Sequence, residues 1–283
     1  MNIQGIPFTK MHGLGNDFII FDTFISDSRK VTDAHLSLIS QKDLIKKIAD
    51  RHFGVGADQI FILTHSNKAD LKMQILNSDG SEAEMCGNGI RTVALYAKTY
   101  GLFKKKMLEV ETLGGVKKVV EETIGEFTVD MGVPVLTKTE GQTLQIKKQD
   151  GSVKHVLFFE ANMGNPHAVT YVESTEQTPL EFFGRQIETH LHFPNKTNVE
   201  FVEVLSRNHL KVRVWERGAG ETLACGSGAC AVAAVAIATR KATSPLEVEL
   251  PGGVLKLKWE GNAKPILMTG PAQESFFGYL PLV

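Results

Sequence analysis

The feature that most constrains the fold of this chain is an internal repeat. The pattern Cys-Gly-x-Gly occurs at residues 86–89 and again at 225–228, and each copy is followed by a largely apolar stretch, 90–100 and 229–239. Glycines beside a cysteine, followed by an apolar stretch of about three turns, predict a helix that begins just after the cysteine. A chain that repeats such a unit is expected to fold as two similar halves.

The residues around the two motifs repeat with matched spacing. Asn77 and Glu216 each lie nine residues before their cysteine, and Gln59 and Asn198 each lie 27 residues before it. Further matched positions are the Gly-Gly pairs at 114 and 252, the glycines at 132 and 270, and the Gly-Asn pairs that end at Asn16 and Asn165. We therefore predict domains at 1–133 and 134–271, and the sequence leaves open whether a C-terminal strand at 272–283 joins the first.

Periodicity indicates the fold class. Segments of alternating polarity predict strands at 60–63, 71–76, 127–131, 199–204 and 210–215, whereas 33–51 and the two stretches after the cysteines predict helices. The stretch 229–238 is apolar on every side, as a central helix must be. We predict an α/β (α+β) protein of two pseudo-symmetric duplicated domains, each a sheet wrapped around a central helix, with the active site in the cleft between them.

Composition excludes several functional classes. The 283 residues carry 31 basic and 32 acidic side chains, so bulk charge gives no reason to expect a nucleic-acid or membrane-surface partner. The ten-residue run 229–238 is about half a membrane span, and residues 1–10 lack an apolar signal core, so we expect a cytoplasmic protein. Three cysteines are too few for a disulfide framework, and Cys-x-x-Cys and His-Glu-x-x-His do not occur, so we expect no metal site.

The repeated motif has a definite chemical capacity. A cysteine directly before a helix lies among unpaired backbone N–H groups and at the positive end of the helix dipole, which favours the thiolate. The adjacent backbone of Gly87, Asn88, Gly226 and Ser227 can bind a carboxylate at the same place. Two such thiols suit stereoinversion, because one can remove a proton from a carbon while the other delivers a proton to the opposite face.

Other interpretations of the cysteines stay open at this point. A cysteine in an alanine-rich helix is usually a small buried hydrophobe, which is how we interpret Cys230. Gly226 to Ala231 loosely fits a dinucleotide-binding fingerprint, but the preceding strand ends too early for one. The pair Cys86 and Cys225 also fits a thiol redox or sensor protein, or a binding module that kept the cleft without the chemistry.

Several longer motifs resemble those of the diaminopimelate epimerases. They are residues 11–18, 54–59, 77–89, 163–167, 216–230, 249–253 and 268–271, in that order along the chain. The resemblance implies a cofactor-independent isomerase that converts LL-diaminopimelate to the meso form in lysine and peptidoglycan-precursor synthesis. It also implies a small-molecule substrate as the ligand and a homodimer as the assembly.

The resemblance assigns roles to individual residues. Cys86 and Cys225 correspond to the acid/base pair, and His167 and Glu216 to the residues that assist and orient the thiols. The corresponding substrate contacts are Asn16, Gln59, Asn77, Gly87, Asn88, Asn165, Asn198, Glu216, Arg217, Gly226 and Ser227. Arg217 suits a distal carboxylate, which it can hold in a bidentate fork, and Glu216 suits an ammonium group.

The nearest rival is a proline or hydroxyproline racemase, which shares the two-thiol architecture. Asn88 favours diaminopimelate, because histidine is expected at this position in those racemases. The pair Glu216-Arg217 favours it as well, because proline has no distal carboxylate for an arginine to hold. The sequence does not say which of the two thiols is ionised at rest.

Overall fold

The computed structural model describes residues 5–25, 30–148 and 150–281. They form two units, one within 1–129 together with 271–283, and one within 130–270. The expected C-terminal strand at 272–283 includes residues 282 and 283, which lie outside the described residues. The domain limits at 133 and 271 stay a prediction.

The first unit is a sheet with three helices. Its elements are β1 Gly5–Gly13, β2 Asn16–Asp22, α1 Asp33–Ile39, α2 Lys42–Ala49, β3 Gln59–Thr64, β4 Leu71–Asn77, β5 Glu82–Ala83, α3 Gly87–Thr99, β6 Met107–Thr112, β7 Gly115–Thr123, β8 Glu126–Asp130 and β18 Gln273–Pro281. The last strand comes from the far end of the chain and pairs antiparallel with β1.

The second unit repeats this plan with two helices. Its elements are β9 Gln142–Lys147, β10 Val153–Asn162, β11 Pro166–Tyr171, α4 Leu180–Glu188, β12 Asn198–Ser206, β13 His209–Glu216, β14 Gly220–Thr222, α5 Gly226–Ala238, β15 Leu246–Leu250, β16 Gly253–Lys258 and β17 Leu267–Pro271.

The two sheets have the same order and the same strand directions. The first runs β18-β1-β2-β3-β4-β6-β7-β8 and the second β9-β10-β11-β12-β13-β15-β16-β17. In each, the third and fourth strands are parallel, and Phe18 pairs with Gln59 as His167 pairs with Asn198. The predicted α/β class with a duplicated sheet is confirmed.

Each sheet surrounds the helix that follows its cysteine. In α5 the residues from Ala229 to Ala236 are all buried, as expected for a helix that is apolar on every side. Helix α3 is buried over most of its length as well, although it carries Arg91, whose side chain is fully buried. The opposite sheet faces have their own cores, one with α1 and α2 and the other with α4.

Residues 33–51, predicted as one helix, form two. The first ends at Ser40, whose backbone N–H and hydroxyl both donate to the carbonyl of Leu36, and the second begins after Gln41. A serine that bonds back to the preceding turn offers the backbone an alternative to continuing the helix. Within the described ranges, no helix is long and apolar enough to cross a membrane.

Candidate active site

Both motif cysteines cap a helix with their sulfur. Cys86 is the N-cap of α3 and Cys225 the N-cap of α5, and both have extended backbone angles. The N–H of Gly89 donates to Cys86 Sγ at 3.3 Å, and the N–H of Gly228 donates to Cys225 Sγ at 3.4 Å. The sulfur thus takes the place of the serine or aspartate oxygen that usually binds a free N–H at a helix start.

The second glycine of each motif is required by a close approach. A Cβ on Gly89 would lie 2.3 Å from Phe61 Cζ, and a Cβ on Gly228 would lie 2.9 Å from Glu200 Oε1. Both distances are shorter than the van der Waals contacts that a Cβ atom makes in proteins. A side chain of β3 in the first unit and of β12 in the second therefore lies against the first helical turn, and only glycine fits beside it.

In the first unit, Asn16 and Asn88 lie beside Cys86. Asn16 Oδ1 accepts from Asn88 Nδ2 at 3.2 Å and lies 3.9 Å from Cys86 Sγ. The other end of the same amide, Nδ2, donates to Asp58 Oδ2 at 2.8 Å. Asp58 therefore orients Asn16 so that its carbonyl oxygen is directed toward the thiol.

A charged network holds Asp58 in place. Arg51 donates to both oxygens of Asp17 at 3.0 and 2.7 Å and to Asp58 Oδ1 at 2.7 Å, and Lys10 donates to Asp17 Oδ2 at 2.6 Å. Burial by itself raises the pKa of Asp17, but hydrogen bonds and charge from Arg51 and Lys10 outweigh it and hold the pKa well below its ordinary value. Asp17 thus stays ionised and fixes the loop that carries Asp58.

Gln59 and Asn77 form a second polar pair in this unit. Gln59 Nε2 donates to Asn77 Oδ1 at 2.9 Å, and Asn77 Nδ2 donates to Ser81 Oγ at 3.0 Å. Gln59 Oε1 is buried and accepts no hydrogen bond from the described residues. This oxygen is therefore an acceptor suited to a donor group on a ligand.

In the second unit, a chain of polar side chains leads to Cys225. His167 Nε2 lies 3.0 Å from Asn165 Oδ1, and Asn165 Nδ2 donates to Ser227 Oγ at 3.4 Å. Ser227 Oγ lies 3.5 Å from Cys225 Sγ. Three residues predicted from sequence are thus assembled around this thiol.

Glu200 extends this series of contacts beyond His167, and it was not predicted from the sequence. Its Oε1 lies 2.6 Å from His167 Nδ1, and both side chains are 0% exposed. Glu200 stands two residues after Asn198 in the fully buried first half of β12, and a carboxylate buried there needs a partner. The signal that identifies it is the repeat, which aligns it with the apolar Phe61.

The environment of Cys225 corrects the expectation that its helix position favours the thiolate. Burial raises the pKa of the Cys225 thiol well above its ordinary value, and the negative charges of Glu216 and Glu200 raise it further. The hydrogen bonds from Ser227 and from the N–H of Gly228 act in the opposite direction but are weaker. Desolvation and two carboxylates therefore outweigh the helix N-terminus.

Glu216 contacts the same thiol. Its carboxylate accepts hydrogen bonds from Thr222 Oγ1 and from Cys225, and burial raises its pKa above the ordinary value. The Cys225 thiol thus has a carboxylate that accepts a hydrogen bond from its S–H.

Asn198 and Arg217 are connected through the backbone. Asn198 Nδ2 donates to the carbonyl of Pro166 at 2.9 Å, and Asn198 Oδ1 accepts from the N–H of Arg217 at 3.0 Å. Asn198 thus fixes the segment that carries Arg217, while the Arg217 side chain is exposed. The remaining predicted contacts, Gly87 and Gly226, are buried first residues of α3 and α5.

Comparison with known proteins decides the family. The sequence model described as diaminopimelate epimerase matches residues 8–137 and 159–274. A diaminopimelate epimerase of Carboxydothermus hydrogenoformans is 47% identical over 281 residues, which span 96% of this chain and 98% of that protein. The chain belongs to the diaminopimelate epimerase family. The resemblance drawn from the motifs is confirmed.

Solved structures of lower similarity share the fold. A PhzF-family phenazine biosynthesis protein from Bacillus anthracis has a TM-score of 0.73 at 16% identity and covers 99% of this chain and 100% of its own. A hydroxyproline epimerase from Agrobacterium vitis has a TM-score of 0.71 at 15% identity, covering 99% and 93%. At these identities the similarity concerns the fold, so it does not favour the rival racemase.

Proposed function

We propose that this member of the diaminopimelate epimerase family converts LL-2,6-diaminopimelate to meso-diaminopimelate without a cofactor, in the synthesis of lysine and peptidoglycan precursors. The observation that carries the proposal is the pair of cysteines that cap equivalent helices, in a chain whose near full-length relatives are diaminopimelate epimerases.

The reaction needs one base and one acid. A thiolate removes the α-proton, and the thiol of the other cysteine delivers a proton to the opposite face of the same carbon. The substrate loses one proton and gains one, so the product is an isomer and no electrons are transferred. The backbone N–H groups of Gly87-Asn88 and Gly226-Ser227 hold the α-carboxylate, where the negative charge of the intermediate develops.

The environment of Cys225 supports a division of labour between the thiols. Its raised pKa favours the protonated thiol as the resting form, so we assign Cys225 as the initial acid and Cys86 as the initial base. The Glu216 carboxylate accepts a hydrogen bond from the Cys225 thiol. His167 orients the same thiol through the side chains of Asn165 and Ser227.

The same proposal assigns the substrate contacts. Arg217 holds the distal carboxylate and Glu216 faces an ammonium group. The other contacts are Asn16, Gln59, Asn77, Gly87, Asn88, Asn165, Asn198, Gly226 and Ser227.

A solvent-exchange experiment tests the reaction. The reduced, metal-free protein is incubated with LL-diaminopimelate in deuterated water, and α-deuterium and meso product are followed by NMR. We expect deuterium incorporation and epimerisation with no added cofactor. Cys86→Ser and Cys225→Ser should abolish epimerisation, because serine is a far weaker acid and base at neutral pH.

Cys230→Ser is the matched control. Cys230 lies in the same helix as Cys225 and is fully buried, so its substitution should leave most of the activity. A reduced wild-type protein that exchanges no deuterium would refute the proposal. Turnover of free proline instead would favour the racemase, and activity that survives loss of both motif cysteines would remove them from the mechanism.

The proposal extends to location and assembly. We place the enzyme in the cytoplasm, because its two thiols must stay reduced and cytosolic reductants maintain that state. We also propose a homodimer, supported by Phe276 and Phe277 on β18, which are 50% and 54% exposed.

A further inference from the structure

At two equivalent positions of the repeat, the first unit carries one pair of side chains and the second unit a different pair. Phe18 and Phe61 lie two residues after Asn16 and Gln59, and His167 and Glu200 lie two residues after Asn165 and Asn198. The strands that carry them are parallel and in the same register in both units. In the first unit the two rings are stacked, with centroids 4.6 Å apart.

The polar pair of the second unit replaces an arrangement that packs well without charge. Both His167 and Glu200 are completely buried, and Glu200 Oε2 accepts no hydrogen bond from the described residues. Burying a carboxylate with an incomplete set of partners costs desolvation energy that two stacked rings do not cost. Packing alone therefore does not account for Glu200.

The contact instead controls where the protons of His167 lie. Asn165 Oδ1 can only accept, so its 3.0 Å contact with His167 Nε2 requires a proton on Nε2. The 2.6 Å contact between His167 Nδ1 and Glu200 Oε1 then needs a second proton, which gives either an imidazolium beside a carboxylate or a neutral ring beside a carboxyl group.

The orientation of Asn165 follows from that donation. With Oδ1 engaged by the ring, Nδ2 is directed to Ser227, which in turn lies beside Cys225. An amide N–H at this place is a donor suited to a carboxylate oxygen of the substrate.

We propose that Glu200 is a positioning residue of the epimerase site. By sharing one proton with His167 Nδ1 it leaves the second proton of the pair on Nε2, so that Asn165 presents its N–H side, and not its oxygen, toward Ser227 and the substrate carboxylate. The inference deepens the proposed function and rests on it for the identity of the substrate.

Other ionisable groups face the same pair. The Glu216 carboxyl approaches from β13 and the Cys225 thiol from the start of α5, and both interact electrostatically with Glu200. The position of the His167 protons is therefore best measured directly, by ¹⁵N NMR of the ring, rather than inferred from the pH dependence of activity.

The decisive variant transplants the aromatic pair of the first unit. His167→Phe with Glu200→Phe should keep the melting temperature of the wild type or raise it, because a buried ionic pair is replaced by apolar rings. Asn165 then loses the N–H that orients it, so KM for diaminopimelate should rise about tenfold, and kcat should fall as well because His167 no longer assists the Cys225 thiol. A double variant that is stable and has unchanged KM would overturn the proposal.

Single variants separate orientation from packing. Glu200→Leu should leave Nδ1 without a partner, and ¹⁵N NMR should then show a mixture of ring tautomers instead of one with protonated Nε2. Glu200→Gln should restore the single tautomer and a near-normal KM, since its amide donates to Nδ1. In an Asn165→Ala background, Glu200→Leu should cause no further rise in KM.

The outcomes distinguish this inference from the proposed function. The exposed pair His192 and Glu160, also 2.6 Å apart, supplies the control, and Glu160→Gln should change neither KM nor the His167 signals. A Glu200→Leu protein that keeps a single Nε2 tautomer, or a Glu200→Gln protein as impaired as Glu200→Leu, would refute the role of Glu200. Because the NMR measurement needs no substrate, it remains valid even if wild-type protein fails to epimerise diaminopimelate.

Discussion

Two equivalent asparagines present opposite ends to the two thiols. Asn16 donates its Nδ2 to Asp58 and directs its oxygen toward Cys86 and Asn88, whereas Asn165 Oδ1 faces the His167 ring and its Nδ2 donates to Ser227. The amide is the same, and its partner decides the orientation: Asp58 can only accept, and in the proposal above the Nε2–H of the ring donates. The duplication thus supplies an acceptor beside one thiol and a donor near the other.

At the same scale, Glu216 should control the ionisation of Cys225. Its negative charge disfavours the thiolate, so Glu216→Gln should make the thiolate easier to form and move the pH midpoint of Cys225 ionisation to lower pH. The measurement is a titration of thiolate absorbance in a Cys86→Ala, Cys230→Ala background, where Cys225 is the remaining thiol.

The control for this titration is Glu221→Gln. Glu221 lies on the adjacent strand β14 and pairs with Arg213, so its substitution should leave the midpoint in place. A midpoint that stays or rises in Glu216→Gln would show that the charge of Glu216 does not raise the pKa of Cys225.

At the scale of elements, the helix starts are the most constrained parts of the molecule. Each helix begins at a cysteine whose sulfur accepts an N–H, and each allows no side chain at the second glycine because a strand residue lies against it. The strand residue differs: a rigid ring, Phe61, in one unit and the Glu200 carboxylate in the other. The same motif is therefore supported by packing in one unit and by a polar contact in the other.

Alanine at these glycines should have different consequences. Gly89→Ala forces a Cβ against the Phe61 ring and should destabilise the fold by about 1–3 kcal/mol, a loss that Phe61→Leu in the same chain should partly restore. Gly228→Ala should displace Glu200 and lower kcat/KM about tenfold or more, with a smaller loss of stability.

Thermal melting and steady-state kinetics on both variants measure these effects. Equal effects of the two substitutions on stability and activity would contradict the distinction between a packing contact and a functional one.

At the scale of the whole molecule, the duplication extends to the order and direction of every main strand pair. The units are not made identically, however. β9 of the second unit directly precedes β10, whereas β18, its counterpart beside β1, comes from the far end of the chain. The first unit is therefore complete only when the last strand has been added.

That last strand also leads to a prediction about assembly. Phe276 and Phe277 expose about half of their surface, and a second copy of the chain would cover them in the proposed homodimer. Light scattering should give about twice 31.1 kDa for the wild type. Substituting both rings by serine should shift the mass toward the monomer, because the apolar contact area is lost.

Leu191→Ser is the control for this experiment. Leu191 is 96% exposed and lies outside β18, so its loss should leave the mass unchanged. A wild-type monomer at micromolar concentration would contradict the proposed homodimer.

The cysteine motifs, their helices, the duplicated α/β architecture and the family were all predictable from sequence. They depend on short patterns and fixed spacings, which local propensity and hydrophobic periodicity express directly. The assignment of individual site residues stays a prediction, although the structure groups Asn16, Asn88 and Cys86 in one unit and Asn165, His167, Ser227 and Cys225 in the other.

The tertiary structure alone decided the rest. The pairing of His167 with Glu200, the hold of Asp58 on Asn16 and the pairing of β18 with β1 join residues that are 33, 42 and more than 250 positions apart. The raised pKa of Cys225 depends on burial and on two carboxylates from neighbouring strands, and of these Glu200 lies outside every motif in the sequence. A sequence pattern specifies where a thiol stands on its helix, but its charge state is set by the groups that folding brings around it.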